Sequence, residues 1–423
     1  MTSPTADLET LPLPCPESDH CASESVYLDY QSGIRYVDVR NQDSDPFPQN
    51  KVLSLFSGAG GLDLGLEMAG FDTVACVEID PDCRATLAHN RPHWALASGC
   101  GESVKGDIRA ITPEHLLEVG GLEIGEPALV VGGPPCQPFS NIGKKEGEAD
   151  SVNGTLYADF LRVVAGCLPK ALIFENVEGF SHGRNQRILG KMTGELKSLG
   201  YSLSSMTVNA ADYGVPQQRR RFIILGYRGD RMPAFPYPLN FPDERAHAVF
   251  ASRVGCRKPG PFTPWVTVRD ALRESSEWDR SRRDYCLMNI SEAVRERMTR
   301  IGIGENFKVL PHDMRPECWR SGKHQGHDTF GRMRLDRPAV TIRTAAYNPA
   351  KGMYIHPLED RGLSTHEMAV FQSFPPEWEF VCHGRERVTL VGAGRQIGNA
   401  VPPLLGRALG LATRWVLTRP KSA

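Results

Sequence analysis

Cys136 stands in the run Gly132-Gly133-Pro134-Pro135-Cys136-Gln137-Pro138-Phe139-Ser140, directly after the apolar stretch 128–131. Two prolines stiffen the chain just ahead of the thiol. A lone cysteine most often ends in a core, but core positions rarely lie inside Gly-Gly-Pro-Pro, so this loop reads as a rigid mount for a nucleophile. Glu175-Asn176-Val177 ends another apolar stretch, 171–174. If both stretches are neighbouring parallel strands, the carboxylate shares a sheet edge with the thiol, as covalent catalysis with acid assistance requires. Pro216-Gln217-Gln218-Arg219-Arg220-Arg221 leads into 222–225. Strand alternation would turn Arg219 and Arg221 the same way, where forked hydrogen bonds suit a phosphate or a base oxygen.

A second kind of chemistry is written in Phe56-Ser57-Gly58-Ala59-Gly60-Gly61. Glycines between a strand and a helix let the backbone approach a ligand closely. Glu78 follows Gly58 by 20 residues, at the end of the next apolar stretch, where a carboxylate can hold ribose hydroxyls. On these residues alone a nicotinamide enzyme and an ordinary tight turn stay open. Asp63, however, occupies the place of the third glycine of a dinucleotide fingerprint. A pyrophosphate would be repelled there, whereas a cofactor with an amino-acid end and no phosphate would not.

The elements that must position these groups alternate. Strands are predicted at 52–56, 73–77, 128–131, 172–174 and 222–225. Between them, Leu62, Leu66 and Ala69 recur at helical spacing, as do Leu156, Phe160, Val163, Val164 and Cys167, and Ile188, Met192, Leu196 and Leu199. The pattern predicts an α/β fold, a doubly wound parallel sheet covered on both faces, with the chemistry at the C-terminal ends of its strands. After Gly226 prolines and arginines multiply and periodicity fades, so 227–394 is expected to be a second, irregular domain with a short helix near 289–300. Ser364 and Glu367 form a capping-box pattern, and 402–417 is apolar and helical.

Composition narrows the setting. A chain of 423 residues suggests two or three domains. The 11 cysteines form no CxxC pair, which argues against a disulfide framework or a zinc ribbon. Cys318, His324 and His327 fit no standard zinc spacing and read as loop residues, so no metal is expected. No apolar run reaches bilayer length, and the first basic residue is Arg35, so a cytoplasmic protein without a membrane is the expectation. The net charge of −1 divides unevenly: residues 1–50 carry −7 and residues 227–337 carry +6. The acidic, Pro- and Ser-rich 1–50 reads as a mostly flexible extension, with a short hairpin around Ser32-Gly33. A basic middle segment is what a phosphate backbone attracts, although a solvated mixed surface accounts for it equally well.

In combination and order, these residues resemble the DNA cytosine-5 methyltransferases, especially the bacterial modification enzymes, over about 51–423. The resemblance implies a class I, Rossmann-like fold and S-adenosylmethionine as cofactor. It assigns cofactor contacts to Phe56, Gly58, Gly60, Gly61, Glu78, Ile79, Asp107, Ile108, Pro135, Asn399 and Val401. Cys136, Glu175, Arg219 and Arg221 become the catalytic set, and Gln137, Ser140, Asn176 and Gln217 face the substrate. Arg337 to Ile342 matches the element that supports the recognition domain, and Gln396 to Pro403 the last motif, which closes the cofactor site. The implied architecture is a catalytic domain of 51–226 plus 395–423 and a target-recognition domain of 227–394.

The implied reaction adds the Cys136 thiolate to carbon 6 of a cytosine swung out of duplex DNA, so that carbon 5 can take a methyl group. Glu175 bonds ring N3 and the exocyclic amine, and Arg221 orients Glu175. The implied setting is a nucleoid-associated monomer, with a cognate restriction endonuclease as a possible partner. Two other classes compete. Transfer-RNA cytosine-5 enzymes share the catalytic motifs but carry Cys-Phe-Thr in the second domain, where the cysteines here precede Arg257, Leu287, Trp319 and His383. A non-catalytic DNA-binding regulator would not need Cys136, Glu175 and Asn399 intact.

Overall fold

The computed structural model describes residues 26–40, 47–99, 105–135, 156–183, 185–256, 260–320 and 328–419. Cys136, Gln137, Ser140, His324 and His327 lie outside these residues.

The first described elements are β1 (Val26–Asp29) and β2 (Ile34–Val37), an antiparallel hairpin with Asp29 opposite Ile34. Asp29 closes the turn, accepting the Ser32 hydroxyl at 2.8 Å and the Gln31 N–H at 3.1 Å. Seven further strands form one sheet: β3 (Lys51–Leu55), β4 (Asp72–Val77), β5 (Ala95–Leu96), β6 (Leu129–Gly132), β7 (Ala171–Val177), β8 (Tyr201–Asn209) and β9 (Arg220–Arg228). Their spatial order is β5-β4-β3-β6-β7-β9-β8, parallel from β5 to β7. β9 runs antiparallel to both β7 and β8, a departure from the all-parallel expectation. The cause is the connection: residues 210–219, with one short 3-10 turn and no crossover α-helix, link β8 to β9, and such a link returns the chain antiparallel to the strand it left. β8 itself escaped the sequence reading because its Tyr-Ser-Leu-Ser-Ser stretch is that of an edge strand with a half-open face.

Both faces of the central strands are buried, so alternate residues enter opposite cores. Val52, Leu129, Val131, Ile173, Ile223 and Leu225 meet α1 (Gly61–Met68) and the C-terminal helix. Leu53, Leu55, Val130, Leu172, Phe174 and Ile224 meet α3 (Pro113–Gly120), α4 (Leu156–Cys167) and α5 (Asn185–Ser198). α2 (Pro81–Asn90) starts where Asp80 accepts the N–H groups of Asp82 and Cys83, with proline at its first position.

The remaining chain contributes β10 (Phe235–Pro236), α6 (Glu244–Arg253), α7 (Val268–Ser275), α8 (Glu292–Thr299), α9 (Glu317–Arg320), α10 (Thr365–Phe371), α11 (Leu390–Asn399) and α12 (Pro403–Thr418). α8 and α12 fall where periodicity predicts them, and the Ser364–Glu367 capping box that starts α10 is formed from both sides.

Two expectations change at this level. β10 pairs in parallel with β2, and Tyr36, Val37 and Val39 are buried in the core that holds Ile223 and Leu225. Residues 26–40 are therefore an integral part of the fold and not a tail. Nor does 227–394 pack as one separate body. Phe235, Tyr237, Phe241 and Ala251 join the core of the main sheet, while Val268, Ile342, Phe371 and Trp378 share a core with Leu64 and Leu87 of α1 and α2. Among the described residues, only Met298, Ile301, Phe307, Leu310, Phe330 and Ile355 form a core of their own. Prolines and polar loops hide such buried anchors, because each anchor is isolated in sequence.

Candidate active site

Phe56 to Gly61, Glu78, Ile79, Pro135 and Glu175 lie along the C-terminal edge of β3, β4, β6 and β7, where an open α/β sheet binds its ligands. The loop after β3 turns through left-handed backbone at Phe56 (φ 56°), Gly58 (φ 56°) and Gly60 (φ 79°). A side chain at Gly60 would collide with Leu87 at 2.7 Å, and one at Gly61 with the Val401 carbonyl at 2.2 Å. At Gly58, by contrast, a Cβ would meet open space. The loop is therefore fixed from below by two close approaches and open at its tip.

Glu78 locks this loop to the next one. Its carboxylate accepts the Gly58 N–H at 2.7 Å and the Asp80 N–H at 2.7 Å, and burial raises its pKa. The neighbouring Ile79 side chain is 47% exposed, an apolar surface beside a carboxylate at the sheet edge. Gly106 passes so close over the end of β4 that its Cβ would lie 1.8 Å from the Glu78 carbonyl. Asp107 follows, paired with Arg109 at 2.6 Å, and that guanidinium holds its carboxyl below the usual range. An exposed apolar side chain, a buried carboxylate and open glycine backbone suit a nucleoside carrying an amino-acid tail. Ile108 does not share this surface: its side chain is buried in the core of α3 and α4. Val401 is likewise a core residue that touches the loop through its carbonyl, and Asn399 is exposed at the end of α11.

The edge of β6 meets that of β7 closely. A Cβ at Gly133 would lie 2.6 Å from Glu175 Oε2 and 3.3 Å from the Glu175 carbonyl, so a side chain there would crowd the carboxyl. Asn176, buried, donates to the Pro134 carbonyl at 3.0 Å. It is a clasp between the strands, not a residue facing substrate. Pro135, the last described residue before Cys136, is exposed. Arg221 Nε lies 2.8 Å from Glu175 Oε1.

Arg219 and Gln217 turn elsewhere. Arg219 is 1% exposed and donates to the carbonyls of Ile342 at 3.1 Å and Gly398 at 2.9 Å. Burial and the nearby Arg221 drive its pKa well down. Gln217 is fully buried, donating at 2.6 Å to the Phe371 carbonyl and to Gln372 Oε1, and accepting the Ile342 N–H at 3.0 Å. Both residues tie the approach to β9 to segments more than a hundred positions away and present nothing to a ligand.

Sequence reasoning missed two contributors and misplaced a third. Gln372, fully buried, completes the Gln217 bond and donates to the carbonyls of Ile397 and Ala400; a lone glutamine in an apolar run was its only signal. Arg395 bridges Asp80 and Asp82, each at 2.9 Å, fastening α11 over the start of α2. Asp63 is fully buried in α1, and its carboxyl oxygens have no hydrogen-bond partner among the described residues.

The chain matches the C-5 cytosine-specific DNA methylase family over residues 50–414. It is 33% identical over 384 residues to the type II methyltransferase M.PspPI of a Psychrobacter strain, covering 89% of this chain and 82% of that protein. It is 31% identical over 378 residues to the type II methyltransferase M.XorII of Xanthomonas oryzae, covering 85% and 83%. Among solved structures it resembles a DNA modification methyltransferase encoded within an E. coli prophage, with a TM-score of 0.61 at 23% identity over 87% of this chain and 99% of that one. With the sheet edge bearing Glu175 and the glycine loop already in place, these likenesses carry the conclusion: the chain belongs to the C-5 cytosine-specific DNA methylase family and is a DNA cytosine methyltransferase of the bacterial modification type.

Proposed function

We propose that the enzyme transfers a methyl group from S-adenosylmethionine to carbon 5 of a cytosine swung out of a specific duplex DNA sequence, through a covalent bond between Cys136 and carbon 6. The observation that carries this reading is the junction of β6 and β7. Gly133 and the Asn176 clasp on Pro134 hold the root of the Cys136 loop against Glu175. Arg221 occupies Oε1 of that carboxyl, and Oε2 is the oxygen turned toward the loop.

S-adenosylmethionine supplies the methyl group; Glu78 and Ile79 would hold its ribose and adenine, and the backbone from Phe56 to Gly61 its amino-acid end. The Cys136 thiolate adds to carbon 6, which makes carbon 5 nucleophilic. Glu175 shares a proton with ring N3 and draws charge out of the ring. After carbon 5 has taken the methyl group, water removes its proton, the carbon–sulfur bond breaks, and the thiolate is restored. Extruding the base costs a few kcal/mol, offset by contacts in the pocket.

Sequence reading we assign to the lobe around Met298, Phe307 and Phe330, the only part of 227–394 with a separate core among the described residues. The charge of +6 on residues 227–337 supplies phosphate contacts, so affinity should fall steeply with salt. Exchanging this lobe with that of a related enzyme should exchange the sequence methylated. The protein is read as a cytoplasmic monomer on double-stranded DNA, and a cognate endonuclease would share its site.

The test is duplex DNA carrying 5-fluorocytosine at the methylated position, located by bisulfite sequencing. Fluorine cannot leave as a cation, so elimination stops after methyl transfer. The expected product is a detergent-stable protein–DNA adduct that requires S-adenosylmethionine and maps to the peptide Gly132 to Ser140. An adduct on Cys76 or Cys167 would remove the nucleophile assignment. Turnover of the fluorinated DNA without any adduct would remove the covalent mechanism.

A further inference from the structure

Beside the Glu175–Arg221 pair lies a groove of about 540 Å³ that the reaction scheme leaves unexplained. Arg221 and Val177 line part of it, with the Arg220–Glu178 ion pair, Asn209, Thr341 and Trp265 among its other walls. Trp265 comes from the segment between α6 and α7, outside every motif that identifies the family.

Its indole is held firmly. The ring N–H donates to Asp212 Oδ1 at 2.9 Å, and the Trp265 backbone N–H donates to the Phe241 carbonyl at 3.0 Å. The preceding Pro264 carbonyl accepts from Asn240 at 2.9 Å. Asp212 is itself mostly buried, and burial pushes its pKa up to about 6. With the one polar atom of the ring already satisfied, what Trp265 offers the groove is its aromatic surface. Two of the other polar side chains there are engaged as well. Asn209 Oδ1 accepts the N–H groups of Ala211 and Arg219, and the Thr341 hydroxyl donates to the Gln218 carbonyl. An oriented aromatic ring in a groove that Arg221 also lines suits the stacking of a flat ring.

We propose that Trp265 is a stacking platform for the extruded nucleotide, holding its base on the path between the duplex and the Glu175–Arg221 pair. The proposal rests on the base-extrusion reading above. Asp212 is then a positioning residue, which keeps the indole edge-on to the protein and its surface toward the groove.

The experiment measures affinity for two duplexes in the presence of S-adenosylhomocysteine: one with the target cytosine, one with an abasic sugar in its place. Trp265→Leu should weaken binding of the cytosine duplex by about five- to a hundredfold, the worth of one base–aromatic stack. It should leave binding of the abasic duplex and of S-adenosylmethionine unchanged. Trp265→Phe, which keeps a ring without the N–H, should restore most of the loss. An equal loss on both duplexes would overturn the proposal, as would a Phe variant no better than Leu. The underlying reading fails separately, if the wild-type protein with S-adenosylmethionine leaves every cytosine of the duplex unmethylated by bisulfite sequencing.

Discussion

Arg221 Nε and Glu175 Oε1 lie 2.8 Å apart, with both side chains nearly closed to solvent. The contact is a diagonal one across an antiparallel pair: Glu175 faces Ile223, Val177 faces Arg221, and long side chains reach across such a step. The antiparallel β9 thus delivers a guanidinium to the edge where the parallel strands deliver the acid and Pro135, the last described residue before Cys136. A fully parallel sheet would have brought the opposite end of that strand to the site.

Glu175→Gln should lower kcat by roughly a hundred- to ten-thousandfold, the usual worth of a positioned acid. Arg221→Ala should follow in the same direction, because the carboxyl loses the partner that holds it. Binding of S-adenosylmethionine should be unchanged in both, measured by calorimetry. A Gln variant with full turnover would falsify the role given to Glu175.

Arg219→Ala should behave differently from Arg221→Ala, although the two are neighbours in one motif. It leaves the Ile342 and Gly398 carbonyls without their donor inside the core. The expected cost is roughly 3 kcal/mol of stability, from two hydrogen bonds to a charged group. Urea unfolding of the two variants separates the cases: a large loss for Arg219 and a small one for Arg221.

Removing residues 1–24 should leave folding and methylation close to those of the full chain. Removing 1–40 should not, because Tyr36, Val37 and Val39 leave the main core and β10 loses its partner strand. Their burial is worth about 1.5–3 kcal/mol for each large side chain. Thermal melts of the two truncations provide the comparison, and equal melting temperatures would show that the hairpin adds nothing.

Asp63 should make stability depend on pH. Burial, with Glu78 nearby, pushes its pKa from 3.8 up to about 7, and Cys76 is the other titratable group beside it. The raised value means that the folded state binds the proton more tightly. The resulting stability is fully present below about pH 4 and is lost as the pH rises through 7, on the order of 4 kcal/mol in all. Asp63→Asn should flatten this part of the profile in urea melts at pH 5 and pH 8. An unchanged pH profile in the variant would assign the dependence to other groups.

Short-range physics wrote much of this protein legibly. The strand–glycine–helix turn at Phe56 to Gly61, the acid at the end of β7, the capping box at Ser364 and the helix from Pro403 all depend on residues within a few positions of one another. Periodicity and turn chemistry report such features directly. Tertiary contacts decided the rest. Gln217 turns inward because Ile342, Phe371 and Gln372, 125 to 155 positions away, satisfy its amide in a place closed to water. Arg219 parts company with Arg221 because two distant carbonyls claim it. The hairpin at Val26 to Val37 belongs to the core only because Phe235 and Pro236 complete its sheet. A buried polar group must find its partners wherever the fold brings them, and that choice belongs to the whole chain, not to the local sequence.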